Sequence, residues 1–525
     1  MSMPSSVINI CSGVRLNNKY EHTIYFDNAN NQLSFFAGKV VKTFSAYSYL
    51  RKSWSIKVDA TMESAKTWSY LYFRNATGKT YYYFITNIEY INDNTVELSL
   101  ELDVMQTYMF DYSLLRSYVE REHVSTDAIG EHIVDEGLEL GDLRVIDETV
   151  TDLSELCLLV MCTFDPIYTT EENTETVTGR RYDNIFYGVG IYAVEYDDWL
   201  AWGQKLKLLD EYGKSDGVMT MWVYPKSLIT LAAEHDWGDG EVTKAVKKVD
   251  GFFHAIARNS KTSGGYEPRN NKLLTYPFNF LYVTNNSGNG AVYRYERFGD
   301  FNSCNFKVVG CMSPEGSVKM YPLNYNGVQH NYEEGLVLGN FPTCAWNQDT
   351  YKLWLAQNQN QQNFTIGVGA LKMVGGLAAT IFTGGLGGVV GVGTGIQGAT
   401  EIANLLQQRA DKELMPPQAK GSATPSVNVA NGFHHFTFQR KSLGIEMAQT
   451  IDDFFDLYGY KINRVKIPNR KVRENWTYTK TIGCHITGNL CNDDLTKIES
   501  IYNNGITFWV NGNNIGNYSL SNNTL

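Results

Sequence analysis

Closely spaced cysteines and charged residues are both scarce in this sequence. Its 525 residues include eight Cys, and the closest pairs have four or six residues between them. That spacing is wider than a CxxC zinc or redox motif requires. We therefore expect free thiols, as in a protein made in a reducing cytosol, and we predict no metal and no cofactor.

Positive charge is also in short supply. Charged residues make up 19% of the chain, and the formal net charge is −11. A surface that binds nucleic acid tightly gains its affinity because Lys and Arg neutralise the phosphates. This composition therefore argues against such a surface. It remains compatible with an acidic conduit through which DNA slides. Residues 1–18 have no basic stretch followed by an apolar run, and this predicts no secretory signal.

Aromatic residues, in contrast, are abundant, with 34 Tyr and 25 Phe. Such side chains pack well on pleated sheets, and the chain is long enough for two or three domains. We predict a mainly β protein. The pattern indicates a hairpin from 69–73 and 80–85 around a turn at 75–78, strands at 95–104 and 156–162, and helices at 197–212 and 451–458.

Three motifs typical of enzymes occur in contexts that do not suit them. The GxSxG at 213–217 follows a helix-like stretch and precedes a strand-like one, the reverse of a nucleophile elbow. Gly78, Lys79 and Thr80 resemble the end of a P-loop, but the glycine required upstream is Phe73. A GxGxxG at 393–398 is nearly expected by chance in a glycine-rich stretch. We therefore predict no catalytic residue, although a pair of carboxylates that meet only in the fold stays possible.

The most unusual segment is residues 373–400, which are 28 residues without a charge. That is long enough to span a bilayer. At roughly −0.5 kcal/mol per large apolar residue, its ten such residues contribute about −5 kcal/mol before any penalty for its ten glycines, so insertion of one copy is marginal. The predicted membrane-insertion residues are Met373, Val374, Leu377, Ile381, Phe382, Leu386, Val389, Val390, Val392 and Ile396.

Glycines in this segment recur at the spacing that lets helices approach closely in a membrane. The predicted close-packing glycines are Gly384, Gly387, Gly388, Gly391 and Gly395. Several copies together could insert where one could not. The alternative is a glycine-rich loop buried inside an oligomer, with no membrane role.

Four sets of residues form an ordered pattern from about residue 100 to 510. The first set is Leu102, Asp103, Val104, Met105, Gln106 and Thr107, followed by Val119, Glu120, Arg121, Glu122, His123 and Val124. The second set is Asn271, Lys272, Leu273, Tyr276 and Pro277, and the third is 346–354. The fourth set is Asp452, Asp453, Phe454, Phe455, Tyr458, Gly459, Tyr460, Lys461, Ile462, Asn463, Arg464, Pro468, Asn469, Arg473 and Trp476, closed by Gly505, Ile506, Thr507, Phe508 and Trp509.

This pattern resembles the distal tail-tube or tail-knob proteins of short-tailed, podovirus-type phages that infect Gram-positive bacteria. The resemblance implies β-barrel-like tail-tube domains, an inserted α+β knob domain and a long hydrophobic glycine-rich loop, assembled into a ring that is typically a hexamer. The implied divisions are a tube domain at 1–141, 331–362 and 418–525, a knob domain at 142–330, and a membrane-active loop at 363–417.

The resemblance also implies partners and a place of action. The partners are other copies of the chain, upper tail or collar and distal cap proteins, phage DNA passing through the channel, and the host cell membrane, with host-surface polysaccharide as an addition. The chain would be assembled in the host cytoplasm and act in the virion tail. Two alternatives remain at this stage: a tail-borne enzyme that degrades the cell wall, and a secreted pore-forming toxin.

Overall fold

The computed structural model describes most of the chain outside the glycine-rich region. The described residues are 7–50, 54–151, 153, 155–164, 181–182, 185–186, 189–195, 202, 205, 209, 217–232, 243–286, 288–300, 303–311, 317–338 and 435–525. They divide into two compact units. Unit 1 comprises 1–143, 261–278 and 443–525, and unit 2 comprises 144–260 and 279–442.

The part of unit 1 that the structure describes is built on three sheets. A seven-stranded sheet has the order β3-β1-β6-β7-β8-β5-β4, and its strands are β1 (Ile8–Ser12), β3 (Val40–Phe44), β4 (Ser48–Leu50), β5 (Ser55–Asp59), β6 (Trp68–Arg74), β7 (Thr80–Asn92) and β8 (Thr95–Leu102). A five-stranded sheet has the order β2-β30-β28-β10-β27, and its strands are β2 (His22–Ile24), β10 (Ser117–Glu122), β27 (Tyr460–Lys466), β28 (Trp476–Ile482) and β30 (Ile506–Trp509). The third sheet pairs β9 (Tyr112–Leu114) with β29 (Ile486–Gly488).

Five helices with described bounds accompany these sheets. They are α1 (Ala29–Ala37), α2 (Met62–Ala65), α3 (Val104–Thr107), α4 (Ile445–Tyr458) and α5 (Asn492–Asn504). Helix α1 begins at an Asn28 cap that accepts from the backbone N–H of Asn31 at 2.9 Å, which satisfies one of the free donors at the helix start. Helix α4 ends at Tyr458 and is followed by Gly459, whose φ is +66°.

The described residues of unit 2 form four sheets. The first has the order β11-β26-β20-β21, and its strands are β11 (Leu143–Val150), β20 (Asn279–Thr284), β21 (Gly290–Tyr293) and β26 (Thr437–Leu443). The second has the order β16-β12-β15-β18-β17, and its strands are β12 (Leu156–Cys162), β15 (Gly190–Val194), β16 (Val218–Pro225), β17 (Ile229–Leu231) and β18 (Lys244–Val249). The others are the pair β13 (Arg181–Tyr182) and β14 (Ile185–Phe186), and a sheet of β19 (Gly251–Ala257), β22 (Ser303–Gly310), β23 (Val318–Tyr325), β24 (Val328–His330) and β25 (Leu336–Leu338).

Aromatic side chains pack against one another in the cores of both units. In unit 1, Phe36 stacks on Tyr70 with ring centroids 5.1 Å apart, and the rings of Trp476 and Trp509 are 5.2 Å apart. In unit 2, Phe306 packs edge-on against other buried rings. Large aromatic rings bury much apolar area each, which explains how sheets of short strands hold together. The seven described cysteines are free thiols.

The mainly β fold class is confirmed. The predicted hairpin is also confirmed, because β6 and β7 pair antiparallel from Arg74 opposite Thr80 to Tyr70 opposite Phe84, and Gly78 adopts a φ of +87° in the turn. The strand at Leu156–Cys162 and a helix covering 451–458 are confirmed. The predicted helix at 197–212 has only isolated described residues.

The predicted strand at 95–104 is wrong at its end. Strand β8 stops at Leu102, and Val104 is the first residue of α3. The physical reason is that Asp103 captures the backbone N–H groups of the next turn and starts a helix there. Residues 261–278, assigned from the sequence to the inserted domain, pack with unit 1.

Candidate functional site

The fifteen predicted membrane-insertion and close-packing residues, 373–396, lie outside the described residues, so their role stays a prediction. Within the described ranges, no helix has both the length and the apolar character needed to cross a membrane. Nor does that part of the chain bring three or more His, Cys, Asp or Glu side chains together as a metal site. The described residues therefore form the folded part of the chain to which residues 373–400 are attached.

The two ends of the stretch 339–434 are anchored in the same hydrophobic core. Leu336 and Leu338 of β25 precede it, and Phe436 and Phe438 around the start of β26 follow it; all four side chains belong to the main core of unit 2. Each is at most 9% exposed. The described chain on either side of this stretch is therefore fixed in one folded core.

The first motif of the pattern, 102–107, forms a buried capped turn of helix. The Asp103 Oδ1 atom accepts from the backbone N–H groups of Met105 and Gln106, both at 3.1 Å. Its Oδ2 atom accepts from the Tyr70 hydroxyl at 2.8 Å. Asp103 is 1% exposed, and burial raises the pKa of its carboxyl to about 6.

Asp103 gives unit 1 a specific dependence of stability on pH. Its folded pKa of about 6 lies above the unfolded value of about 3.9, so the folded state binds a proton first as the pH falls. The resulting stabilisation is complete below about pH 4 and is lost as the pH rises through 6. Asp103→Asn keeps an acceptor for both N–H groups and cannot titrate. We expect the free energy of unfolding of the wild type, relative to that of D103N, to fall by about 2 to 3 kcal/mol between pH 4 and pH 7.5. Hydrogen exchange of the amides in α3 measures it for both proteins. If the difference between the two proteins does not vary with pH, the raised pKa of Asp103 is refuted.

Glu136 is the point where three distant parts of unit 1 meet. Its carboxylate accepts from the Arg121 guanidinium of β10 and from the Lys272 ammonium. It also accepts from the backbone N–H of Lys461 on β27 at 2.9 Å. The side chains of Glu136 and Lys272 are 1% and 2% exposed, and burial lowers the pKa of Lys272 although Glu136 opposes that shift.

Aromatic rings enclose the two cations of this network. The Arg121 guanidinium lies over the Phe454 ring, 4.7 Å from its centroid. The Lys272 Nζ atom is 5.3 Å from the centroid of the Tyr460 ring. Because ring faces are negative, they stabilise a desolvated cation. The first, second and fourth sets of the sequence pattern thus come together here.

Asp452 holds the segment before the turn Asn271–Leu274 against α4. It is fully buried and accepts four hydrogen bonds. Its donors are the Tyr266 hydroxyl at 2.7 Å, the Arg269 backbone N–H at 2.7 Å, and the Asn270 backbone and side-chain amides at 3.1 and 2.7 Å. A buried carboxylate satisfied by this many donors fixes the position of the segment that supplies them.

Glu122 and His123 tie the end of β10 to its neighbours. Glu122 accepts from the Lys466 ammonium and from the Asn469 backbone N–H at 2.9 Å, and its burial raises the pKa of its carboxyl. The His123 Nδ1 atom accepts from the Tyr478 backbone N–H at 2.7 Å. Burial lowers the pKa of His123 to about 3. Its ring is therefore neutral at physiological pH and serves as a structural bridge.

Gly459 passes directly beneath the end of β10. A Cβ atom there would lie 2.2 Å from the carbonyl oxygen of Glu122, at a φ of +66° that L side chains rarely adopt. We expect Gly459→Ala to destabilise unit 1 by about 2 to 3 kcal/mol, from overpacking and backbone strain together. Gly483→Ala is the matched control, because its φ is +70° but nothing lies within 4 Å of its Cβ position. Urea unfolding midpoints should shift much more for the first variant; equal shifts would show that only the backbone conformation matters.

A cleft of about 310 Å³ opens beside Glu122, Asn469 and β27. Its other lining residues are Val124, Ser125, Thr126, Glu131, His132, Val134, Lys461, Ile462, Arg464 and Lys466. Charges of both signs face it, and one pair is already joined through Lys466 and Glu122. The cleft is therefore mixed in charge and not a strongly cationic site.

Several members of the network were not identified from the sequence. Glu136, Asp127, Tyr266 and Arg269 stand in polar stretches with no recognisable motif. Asp127 accepts from the Tyr460 hydroxyl at 2.7 Å and from the Asn271 backbone N–H at 3.0 Å. Only the proximity of partners over 100 residues away identifies these side chains.

Comparison with known families matches two separate parts of the chain and leaves residues 114–242 unmatched. Residues 243–523 match the C-terminal domain family of tail knob protein gp9 of Bacillus phage phi29. Residues 4–113 match the family of the caudoviral major tail protein N-terminus. The first match alone covers more than half of the chain.

Full-length relatives agree with these matches. The chain is 26% identical to tail knob protein gp9 of Bacillus phage B103, and the alignment covers 98% of each. It is 25% identical to tail knob protein gp9 of Bacillus phage phi29, again over 98% of each. The solved structure of the bacteriophage C1 tail knob protein, gp12, is similar in fold, with a TM-score of 0.64 at 15% identity over 99% of this chain and 100% of that one.

Proposed function

The chain belongs to the family of phage tail knob proteins, and from that premise we propose that it forms the distal tube and knob of a short tail through which the genome is ejected. In this proposal, residues 363–417 are a hydrophobic loop that plugs the channel and then enters the host membrane to form a pore. Residues 142–330 form the knob, with 261–278 packed against the tube part in unit 1, and residues 1–141, 331–362 and 418–525 form the tube.

The relatives are tail knob proteins, and this supports a structural role for the chain over an enzymatic one. It also fits the chemistry of the buried network. The carboxylates of Glu136, Asp452 and Glu122 each accept from two or more protein donors, and such donors hold strands and helices in place. In our proposal they give unit 1 the rigidity that a tube wall needs.

The charge of the chain suits a conduit for DNA. At a net charge of −11, an acidic wall repels the phosphate backbone and so does not retain it during ejection. The proposed assembly is a ring, a hexamer by family resemblance, joined to upper tail or collar proteins and a distal cap. It is built in the host cytoplasm, and the knob contacts surface polysaccharide.

The membrane role rests on the energetics of residues 373–400. The large apolar residues contribute about −5 kcal/mol per copy before any glycine penalty, so insertion of one copy is marginal, while the recurring glycines permit close packing of several copies. Six copies released together from one ring would insert cooperatively. The shared core that anchors both ends of 339–434 supports a loop that moves while its attachment stays folded.

Dye release from liposomes tests the proposal. We expect the purified full chain to release a trapped dye over some range of pH, and a variant lacking 363–417 to release none. The deletion leaves β25 and β26 intact, and hydrogen exchange in unit 1 should match that of the full chain. Equal release by both proteins, or none by either under any condition, would contradict the membrane role.

A further inference from the structure

The sheet of β19, β22, β23, β24 and β25 in unit 2 has one buried face and one open face. Phe306 and Val308 of β22 point into the main core of the unit and are fully buried. Lys307 between them projects to the other side and pairs with Phe253 on β19 and with Tyr321 on β23. Directly paired residues share a face of the sheet. These three side chains therefore stand in one row on the open face, here called the β22 row.

Aromatic rings occupy both ends of the β22 row. Phe253 is 69% exposed, the highest value of any large apolar side chain that the structure describes. Tyr321 is buried beneath Tyr332, a residue of the loop between β24 and β25, and the centroids of the two rings are 4.4 Å apart. Tyr332 is itself 53% exposed. One phenyl ring and one phenol ring are thus accessible at the two ends of the row.

Positive charge lies over these rings. The Lys307 Nζ atom is 5.6 Å from the centroid of the Phe253 ring, and the Lys319 Nζ atom is 6.0 Å from that of the Tyr332 ring. Lys319 shares the open face with Lys307, because it pairs with Val309, two residues further along β22. Neither lysine forms an ion pair with a residue that the structure describes.

The strands around the row contain no acid. None of the five strands of this sheet has an Asp or a Glu, although the net charge of the chain is −11. The exposed acids Glu333 and Glu334 lie in the loop after Tyr332 and limit the cationic area to the strands. The open face therefore combines accessible aromatic rings with positive charge.

We propose that the β22 row binds an anionic polysaccharide. The faces of aromatic rings are negative, and the C–H groups on the face of a sugar ring are partially positive, so sugars stack on such rings. Each lysine would contact a carboxylate or phosphate group of the polymer. Two cations are few for a nucleic acid, whose affinity comes from neutralising many phosphates, and they suit a polymer that is less densely charged. This inference rests on the polysaccharide contact proposed above for the knob and names its surface and the class of polymer.

Binding of the full chain to immobilised polymers tests the inference. We expect retention on polygalacturonate or on phosphomannan, and comparison of the two distinguishes carboxylate from phosphate recognition. We expect no retention on neutral dextran or on polyglutamate, which is charged but contains no sugar. Failure to bind either anionic polysaccharide would overturn the proposal. So would retention on oligothymidylate alone, which would assign the row to single-stranded nucleic acid.

Substitutions in the row separate the contributions of rings and charges. Phe253→Ala with Tyr332→Ala should weaken binding at least tenfold, and so should Lys307→Gln with Lys319→Gln. Binding by both double variants at the wild-type level would overturn the proposal.

The matched controls are Lys42→Gln and Phe110→Ala, which should bind as the wild type does. The Lys42 Nζ atom also lies 5.6 Å from the centroid of an aromatic ring, that of Phe44, but on β3 of unit 1. Phe110 is 45% exposed in unit 1. Polygalacturonate or phosphomannan, whichever binds, should also protect Lys307 and Lys319 of the wild type from acetylation and leave Lys42 reactive. This footprint requires no substitution, so it tests the row even where a variant folds poorly.

Binding to purified cell walls of the host separates this inference from the proposal on which it rests. We expect the wild type to bind the walls and both double variants to bind at least tenfold more weakly. Equal binding by the wild type and the variants would overturn the β22 row and leave the proposed knob contact standing. A wild type that does not bind the walls would contradict both.

Discussion

A phage whose tail protein carries Gly388→Asp and Gly391→Asp is expected to assemble, adsorb to its host and fail to infect. Each Asp at the bilayer centre costs about 3 kcal/mol. Two of them therefore cost about 6 kcal/mol per copy, more than the roughly 5 kcal/mol that the large apolar residues contribute. We expect plaque titres to fall at least a hundredfold, with particle counts and adsorption unchanged.

The matched control is Gly388→Ala with Gly391→Ala. Alanine keeps the small-residue spacing that permits close helix approach and adds no charge, so this phage should infect within a few fold of the wild type. Dye release by the two purified proteins should follow the same order. Normal infectivity of the double-Asp phage would show that residues 373–400 do not enter a membrane.

Replacing Glu136 by Ala is expected to cause the largest loss of stability in the described structure. The substitution leaves the Lys272 ammonium, whose side chain is 2% exposed, without its carboxylate, and it also unpairs Arg121. Removing one partner of a buried ion pair costs about 3 to 5 kcal/mol. The urea midpoint of unit 1 should fall accordingly, and amide exchange should accelerate in α4 and β27.

Two controls separate this effect from a general loss of charge. Glu63→Ala breaks a surface pair with Lys66, whose side chains are 83% and 58% exposed, and it should change stability by less than about 1 kcal/mol. Adding Lys272→Met to Glu136→Ala removes one stranded charge and should restore part of the loss. A Glu136→Ala midpoint equal to that of Glu63→Ala would show that the network does not hold unit 1 together.

Local patterns predicted strands well where one face is buried. In β8 the alternation of Val96 and Leu98, both fully buried, with polar neighbours identified the strand. Its end was misplaced because alternation continues through Val104, whereas a side-chain cap at Asp103 ends the strand. Helix α4 was predicted too short, since it begins after Gly444, which offers no side-chain cap.

The charge network could not be predicted in the same way. Glu136 lies 136 residues from Lys272 and 325 from Lys461 in sequence. The periodicity of strands and helices relates only residues a few positions apart, so it cannot predict such contacts. The family resemblance identified Lys272, Lys461 and Asp452 as members of a pattern, but it gave no partner for any of them. Glu136 itself was found only through the fold, because a single acid in a polar stretch has no distinguishing signal.

The most direct test of the membrane role is photolabelling from within the bilayer. Liposomes that carry a photoactivatable carbene probe confined to the hydrocarbon core would be mixed with the full chain under conditions of dye release, illuminated, and the labelled peptides identified by mass spectrometry. We predict that the label maps to residues 373–400. Label confined to other parts of the chain during active release would contradict the account.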